Sequence, residues 1–572
     1  MTNIDYQQLA DLLFPHVTET PEEVEARFPA RNLPEGAKVT RFAPSPTGFV
    51  HFGGLFPVMV SERLAHQSGG VFYLRIEDTD AKREVPGAAE GLITTLARYG
   101  IHFDEGAILG PAGSEFEGRV TDIGAYGPYK QSLRASLYHV FAKKLVADGK
   151  AYPVFTTEEE LEALKQTDKK AEIKAVDWEV EAESRRAEML ANRVFTMDSV
   201  KKELAAGHPF VLRLLADGGV DENGREKRIT FTDLVRGKLE MPVNDEDFVL
   251  LKSDGIPTYH FAHAVDDHLM GTNLVIRGEE WLPSLPKHLQ LFYYLGFKAP
   301  KYMHISQIMR LDENGNKKKL SKRDMGANLD DYAAMGYSAE AVAEYVLTLL
   351  NSNYEEWRTA NPEVPYTEFP FSVKKMSASG CLFDFRKLND VSKNVLSRMS
   401  ADEVYDRVST WAKDYDKVLY EHLVADPTYA KSILAIGRGG KKPRKDLTVW
   451  TDVLPYMALF YDDLFEVKDT LPDGTDAQDV AATLDAFIAT YDPTDDMNTW
   501  FDKVKAIAES LGYASDMKAY KADPTAYKGN VADISSFLRL AVTGKLNAPD
   551  LYTVMQLLGK DRVLERLRAY RS

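Results

Sequence analysis

A single cysteine, Cys381, stands in 572 residues. It permits neither an internal disulfide nor a thiolate zinc cage, so no structural zinc is expected, and beside Leu382 and Phe383 it reads as a small apolar filler. No uncharged apolar run approaches the ~18 residues that a membrane span requires. The N-terminus, MTNIDYQQLADLLFPHVTETPEE, is acidic and lacks the basic-then-apolar order of a secretory signal. A cytoplasmic protein without membrane contact is therefore expected. Positive charge is not in excess either: 70 basic against 87 acidic residues give a net charge of −17, the wrong sign for a chain that grips nucleic acid through its overall charge. Any polyanion must be met locally. Two clusters could do this, Lys317, Lys318, Lys319, Lys322 and Arg323, then Arg438, Lys441, Lys442, Arg444 and Lys445; each could equally be a solvated loop. The chain also lacks a Walker-type phosphate loop, a fixed-period repeat and any long low-complexity tract.

What is present is length for roughly three to five packed units and, at 44% hydrophobic and 27% charged residues, the composition of a globular protein. Val39 to Phe42 is a short β-type run broken by Pro44-Ser45-Pro46-Thr47-Gly48. Leu55 to Gln67 then has helical apolar spacing, with Pro57 suited to a first turn and Ser68-Gly69-Gly70 as the stop. Val71 to Ile76 reads as a second buried strand, so the order is βαβ and the sheet parallel. From about Gln131 to Pro209 the pattern becomes charged and helical, as in Glu158 to Lys170 and Glu179 to Asn192, before strand signals return at Phe210 to Leu215 and Phe248 to Lys252. That is an insertion into an α/β core. Beyond about residue 330 the pattern is almost wholly helical, for example Ser338 to Asn351, Asp402 to Trp411, Asp476 to Tyr491 and Leu551 to Arg568.

Chemistry concentrates in two stretches. Arg41-Phe42-Ala43-Pro44-Ser45-Pro46-Thr47-Gly48-Phe49-Val50-His51-Phe52-Gly53-Gly54 lies where a strand ends and a helix begins, the edge at which open parallel sheets bind ligands. Glycines allow close backbone approach, the helix N-terminus favours phosphate, and His51 can donate a hydrogen bond to a phosphate oxygen. The second stretch is Lys317-Lys318-Lys319-Leu320-Ser321-Lys322-Arg323, after the loop Asp312-Glu313-Asn314-Gly315-Asn316. Lysines on such a loop can neutralise charge as pyrophosphate departs.

Together these stretches resemble the paired signatures of class I aminoacyl-tRNA synthetases: His51 to Gly54 matches the first, HIGH, and Lys319 to Arg323 the second, KMSKS. The wording is closest to the glutamyl family, through the arginine before a PSPTG-type turn, Arg75-Ile76-Glu77-Asp78-Thr79-Asp80, Gly127-Pro128-Tyr129-Lys130-Gln131-Ser132, Val265-Asp266-Asp267-His268-Leu269-Met270-Gly271, Val275-Ile276-Arg277-Gly278-Glu279-Glu280-Trp281, and Leu538-Arg539-Leu540-Ala541-Val542-Thr543-Gly544. The resemblance runs from about residue 38 to the C-terminus. It implies an α/β fold: an N-terminal extension at 1–37, a Rossmann-type catalytic domain in halves 38–130 and 236–330, an inserted acceptor-end-binding domain at 131–235, a helical stem-contact domain at 331–400 and an all-α anticodon-binding domain at 401–572.

The implied activity is that of a glutamate–tRNA ligase, using ATP with Mg²⁺, L-glutamate and tRNA(Glu), in a monomer. Arg41, Ala43, Ser45, Glu77, Tyr259, His263 and Arg277 align with the amino-acid site. Arg41 and Arg277 suit carboxylates, and Glu77 the α-ammonium. Pro44, Thr47, Gly48, His51, Gly53, Gly54, Glu280, Trp281, Lys319, Leu320, Ser321, Lys322 and Arg323 align with the ATP site, with His51, Lys319 and Lys322 as the catalytic charges. Glutamyl-adenylate forms first, and the terminal ribose 2′-hydroxyl of tRNA then takes the acyl group. The chain departs from the family at Leu55 and Phe56, where a small residue and an arginine are usual, and at His263, where a smaller residue is. Ala151 to Thr156 lacks the cysteines of zinc-bearing relatives. Four alternatives stand against it: a form that also charges tRNA(Gln), a glutaminyl enzyme, a silent tRNA-binding paralogue, and a shortened relative that modifies a tRNA base with glutamate and would lack the helical third after residue 375.

Overall fold

The computed structural model describes residues 4–80, 82–155, 187, 189–312, 314–319, 328–440 and 442–571. Its contacts divide into two units, one of residues 1–330, 346–360 and 364–383, the other of 331–345, 361–363 and 384–572. The expected stem-contact segment 331–400 is thus shared between them.

The first unit opens with helices α1 (Tyr6–Leu13) and α2 (Pro21–Ala26), capped by Asp5 and by a Thr20–Glu23 capping box. The chain then enters β1 (Val39–Phe42), α3 (Phe52–Gln67), β2 (Val71–Leu74), α4 (Ala88–Arg98), β3 (Glu105–Leu109) and β4 (Val120–Ile123). β1 pairs with β2 and β2 with β3 in parallel, and β4 closes the edge antiparallel to β3. The expected βαβ unit is present. Helix α3 nevertheless starts at Phe52, three residues before Leu55, so Pro57 sits in its second turn. There Pro57 lacks the N–H that would have bonded the Gly53 carbonyl. Leu55 and Phe56, the two departures from the family pattern, are buried, and the Phe56 ring packs 5.9 Å from that of Phe52.

Helix α5 (Ala135–Ala147) and β5 (Ala151–Phe155) lead into the insertion. The helices expected at Glu158 to Lys170 and over most of Glu179 to Asn192 lie outside the described residues. After α6 (Met197–Ala205), β6 (Phe210–Leu214) pairs antiparallel with β5 and with β9 (Val249–Leu251), close to the strands expected there. Between them a hairpin not anticipated from sequence, β7 (Arg228–Asp233) and β8 (Gly237–Pro242), turns at Gly237 with φ 75°. Helix α7 (Tyr259–Leu269), β10 (Leu274–Gly278), α8 (Leu285–Leu295) and β11 (Lys301–Ile305) follow, with β10 and β11 parallel.

The two parallel sets meet at Asn273. Its N–H donates to the Val39 carbonyl at 3.1 Å, and its side-chain oxygen accepts from the Val39 N–H at 2.9 Å. β1 is therefore flanked by β2 on one side and β10 on the other, and the chain direction of winding reverses there. Such a switch point opens a crevice at the carboxyl ends of the strands. Beyond it, β12 (Ile308–Leu311), β13 (Lys317–Lys319) and β14 (Cys381–Leu382) form a small sheet. Cys381 is half-buried there, its thiol is pushed up by burial, and it donates to the Leu349 carbonyl.

The second unit is helical, as expected. Ala401–Tyr415 begins with a Ser400–Glu403 capping box, so the expected start Asp402 lies in its first turn, whereas the expected start Asp476 is the cap of Ala477–Thr490. The helix expected over Leu551 to Arg568 is two, Leu551–Leu558 and Lys560–Arg571, split at Gly559 with φ 80°. A core that includes Trp411, Phe487, Trp500 and Phe537 holds these helices together.

Candidate active site

The carboxyl ends of β1, β10 and β11, the segment after β2 and the first turns of α3 and α7 converge on a cavity of about 520 Å³. Arg41, Ala43, Pro44, Ser45, His51, Gly53, Gly54, Glu77, Tyr259, Arg277, Glu280 and Trp281 all line it. Sequence singled out each of these. Thr47, Gly48 and His263 do not line it. Gly48, with φ 138°, is required by the turn itself. Lys317, Lys318 and Lys319 form β13 against β12, and Leu320, Ser321, Lys322 and Arg323 lie outside the described residues.

Gly53 and Gly54 show what the cavity wall is for. A Cβ on Gly53 would come no nearer than 4.0 Å to Ile308 Cδ1, and one on Gly54 no nearer than 3.8 Å to Val50 Cγ1. Protein packing would tolerate alanine at either place, so the missing side chains keep room inside the cavity.

The cations are placed by buried acids on another element. Asp267 of α7, fully buried, accepts from Arg75 Nη1 at 2.7 Å and lies 3.4 Å from Arg41 Nε, all through one oxygen. Arg75 reaches on to Glu77 Oε1 at 3.0 Å. The neighbouring Asp266 is held by Arg134 Nε at 2.7 Å and by the hydroxyl of Tyr138 at 2.8 Å. Burial pushes the Glu77 carboxyl up, against the pull of Arg75 and Arg41. Arg41 and Arg75 are thus matched by Asp267 and Glu77, two cations against two anions.

Arg277 is different. Its Nε donates to His304 Nε2 at 2.9 Å, Nη1 to His288 Nδ1 at 3.0 Å and to the Tyr259 hydroxyl at 3.4 Å, and Nη2 to the Trp281 carbonyl at 3.3 Å. Among the described residues no carboxylate forms an ion pair with it. His263 stacks behind this wall, with Nε2 2.9 Å from the Tyr302 hydroxyl and Nδ1 3.1 Å from Asp267 Oδ2. Sequence placed His263 among the glutamate contacts; in the structure it is fully buried behind the cavity wall.

Sequence reasoning missed Arg83, Ser306, Gln307 and Ile308, which also line the cavity. The last three follow β11, and their place just past the carboxyl end of a buried strand was the available signal.

The chain's resemblances agree with this geometry. Residues 38–390 match the family of class I tRNA synthetases (E and Q), catalytic domain, and residues 525–571 match an anticodon binding domain. A glutamate–tRNA ligase of Acetivibrio thermocellus is 45% identical over 99% of this chain and all of its own length. One of Sorangium cellulosum is 45% identical over 96% of this chain and 97% of its own. Among solved structures, a glutamate tRNA ligase from Elizabethkingia meningosepticum, in complex with its amino acid, superposes with a TM-score of 0.70 at 26% identity, covering 93% of this chain and 99% of that one. The chain belongs to the class I tRNA synthetase family of the glutamate and glutamine branch.

Proposed function

We propose that this chain activates L-glutamate with ATP and transfers it to the 3′-terminal adenosine of tRNA(Glu), as a glutamate–tRNA ligase of the cytoplasm. The observation that carries the choice of amino acid is the charge count in the cavity. Three cations, Arg41, Arg83 and Arg277, line it against two anions, Glu77 and Glu280, and among the described residues no carboxylate forms an ion pair with Arg277. A cavity with one uncompensated cation favours an amino acid with one net negative charge, and glutamate has it while glutamine does not.

In this reading Glu77 meets the α-ammonium, Arg277 the side-chain carboxylate with Arg41 beside it, and Ser45 and Tyr259 supply neutral hydrogen bonds. The α-carboxylate is then free to attack the α-phosphorus of ATP in line. Glycine-lined space at Gly53 and Gly54 admits the nucleotide, His51 donates to a phosphate oxygen, and Lys319 and Lys322 offset charge as pyrophosphate leaves. Mg²⁺ comes as part of the ATP substrate; among the described residues no group of three or more His, Cys, Asp or Glu could hold a metal ion.

The helical unit supports the RNA half. A cavity of about 440 Å³ there is lined by Lys393, Arg444, Lys445 and Lys545 against Asp446, which pairs with Arg444, and Asp452, a basic excess that takes in part of the second basic cluster noted in the sequence. Local charge of this kind suits a polyanion despite the acidic whole. Aminoacylation of separate tRNA(Glu) and tRNA(Gln) with labelled glutamate tests the proposal. Charging of tRNA(Glu) supports it, charging of both identifies the wider acceptor range, and charging of neither overturns it.

A further inference from the structure

Arg277 is gripped from behind by groups that carry no charge. Five N–H bonds radiate from a guanidinium, and four of Arg277's meet protein acceptors: His304, His288, Tyr259 and the Trp281 carbonyl. Tyr259 and Trp281 line the cavity, whereas His288 and His304 do not. The ring of Tyr302 covers the guanidinium face, 4.9 Å from its carbon, and itself stacks on His304.

The hydrogen-bond directions fix the tautomers. Arginine only donates, so His304 Nε2 and His288 Nδ1 must accept. His304 therefore carries its proton on Nδ1 and donates it to Asp233 Oδ2 at 2.8 Å. Asp233, at the end of β7, also accepts from the His304 N–H and from the N–H groups of Val235 and Arg236, which leaves its carboxylate no freedom to turn. His288 carries its proton on Nε2 and passes it toward His260 Nδ1 at 3.0 Å. Burial holds His288 and His263 well below the usual histidine range, His260 at about 4, and His304 below its ordinary value, so these rings stay neutral where the enzyme works.

An acidic acceptor at the same places would have neutralised Arg277 before any substrate arrived. We propose that His288 and His304, the latter held by Asp233, are positioning residues that grip Arg277 through uncharged ring nitrogens, so that its charge is satisfied by the side-chain carboxylate of the bound amino acid. This rests on the reading that Arg277 meets that carboxylate. It makes the uncharged wall, and not Arg277 alone, the determinant of selection for an acidic amino acid.

Two nearly isosteric substitutions separate charge from shape. His288→Asn keeps a neutral acceptor at the height of Nδ1, and His288→Asp puts a carboxylate there. Amino-acid-dependent ATP–pyrophosphate exchange, with tRNA present, is measured over glutamate and ATP concentrations. For H288N the glutamate KM is expected within about threefold of the parent, and for H288D raised by about tenfold or more, with the ATP KM little moved. Equal glutamate KM values for the two variants overturn the proposal, and so does an ATP KM that rises in step with that of glutamate. Should either variant fail to fold, as judged by thermal unfolding, His304→Gln against His304→Leu reads the same grip at Nε, with KM recovered by the acceptor-bearing glutamine. Loss of that recovery overturns it equally. Arg277→Gln runs in parallel: an unchanged glutamate KM there defeats the reading of Arg277 itself, whereas a raised one beside matching H288N and H288D defeats only the neutral grip.

Discussion

Arg75 Nη1 lies 2.7 Å from Asp267 Oδ1, and neither side chain has any exposed surface. The pair joins the residue after β2 to helix α7, two parts of the first unit nearly two hundred positions apart in sequence. Arg75→Met should strand the Asp267 and Glu77 carboxylates in a buried place. The expected loss of stability is about 3–5 kcal/mol, because removing one partner of a buried pair leaves the other uncompensated. Urea unfolding of the variant checks this; a midpoint equal to the parent's would show that the network contributes nothing.

Glu77 is held above the ordinary carboxylate range by burial, in spite of Arg75 and Arg41. A raised folded-state pKa means that the folded chain binds the proton more tightly than the unfolded one. Its contribution to stability is therefore present at low pH and lost as pH rises through the folded value. Glutamate binding should run the opposite way, since only the ionised form attracts the α-ammonium. Glu77→Gln is thus expected to keep or raise the unfolding temperature at neutral pH while raising the glutamate KM by about tenfold or more. A lowered unfolding temperature with unchanged KM would reverse the assignment.

On the proposed reading, in which its charge acts on the departing pyrophosphate, Lys322→Ala should slow adenylate formation by more than about tenfold and leave glutamate affinity nearly intact. Single-turnover formation of the adenylate is the measurement. An unaltered rate would remove Lys322 from the chemistry.

The N-terminal extension is an integral brace. Arg31 makes two bonds to Glu105, at 2.8 and 2.9 Å, donates to the Met270 carbonyl at 3.0 Å and lies 3.9 Å over the Tyr126 ring. Leu9 and Val24 are fully buried, and Asp11 pairs with Lys143 of α5. Arg31→Ala should cost about 2 kcal/mol or more in urea unfolding without shifting the glutamate KM. A shifted KM at unchanged stability would assign Arg31 to the site instead.

Local pattern carried the sequence reading wherever function is written into neighbouring residues. The β1 turn, its glycines, His51 and the strand-end residues Glu77 and Arg277 occupy one cavity because a parallel sheet gathers strand ends at one edge. Asp233, His288 and His304 carry no such signature. Each stands in a different element, and they are assembled only by the pairing of β10 with β11 and by the seating of β7 near them. His263 shows the same difficulty from the other side. Its place near Tyr259 on the chain suggested contact with substrate, but four residues along a helix put it on the same flank one turn deeper, behind the wall. The β7–β8 hairpin was legible in principle, since Arg228 to Pro242 alternates exposed with partly buried side chains around Gly237.

The most direct test of the central claim is ATP–pyrophosphate exchange with tRNA(Glu) present and each amino acid offered alone. Exchange with glutamate, with glutamine weaker by about a hundredfold or more, is the expected result for a cavity whose spare cation must be met by a carboxylate. Exchange that glutamine supports as well as glutamate, or that neither supports, would contradict it.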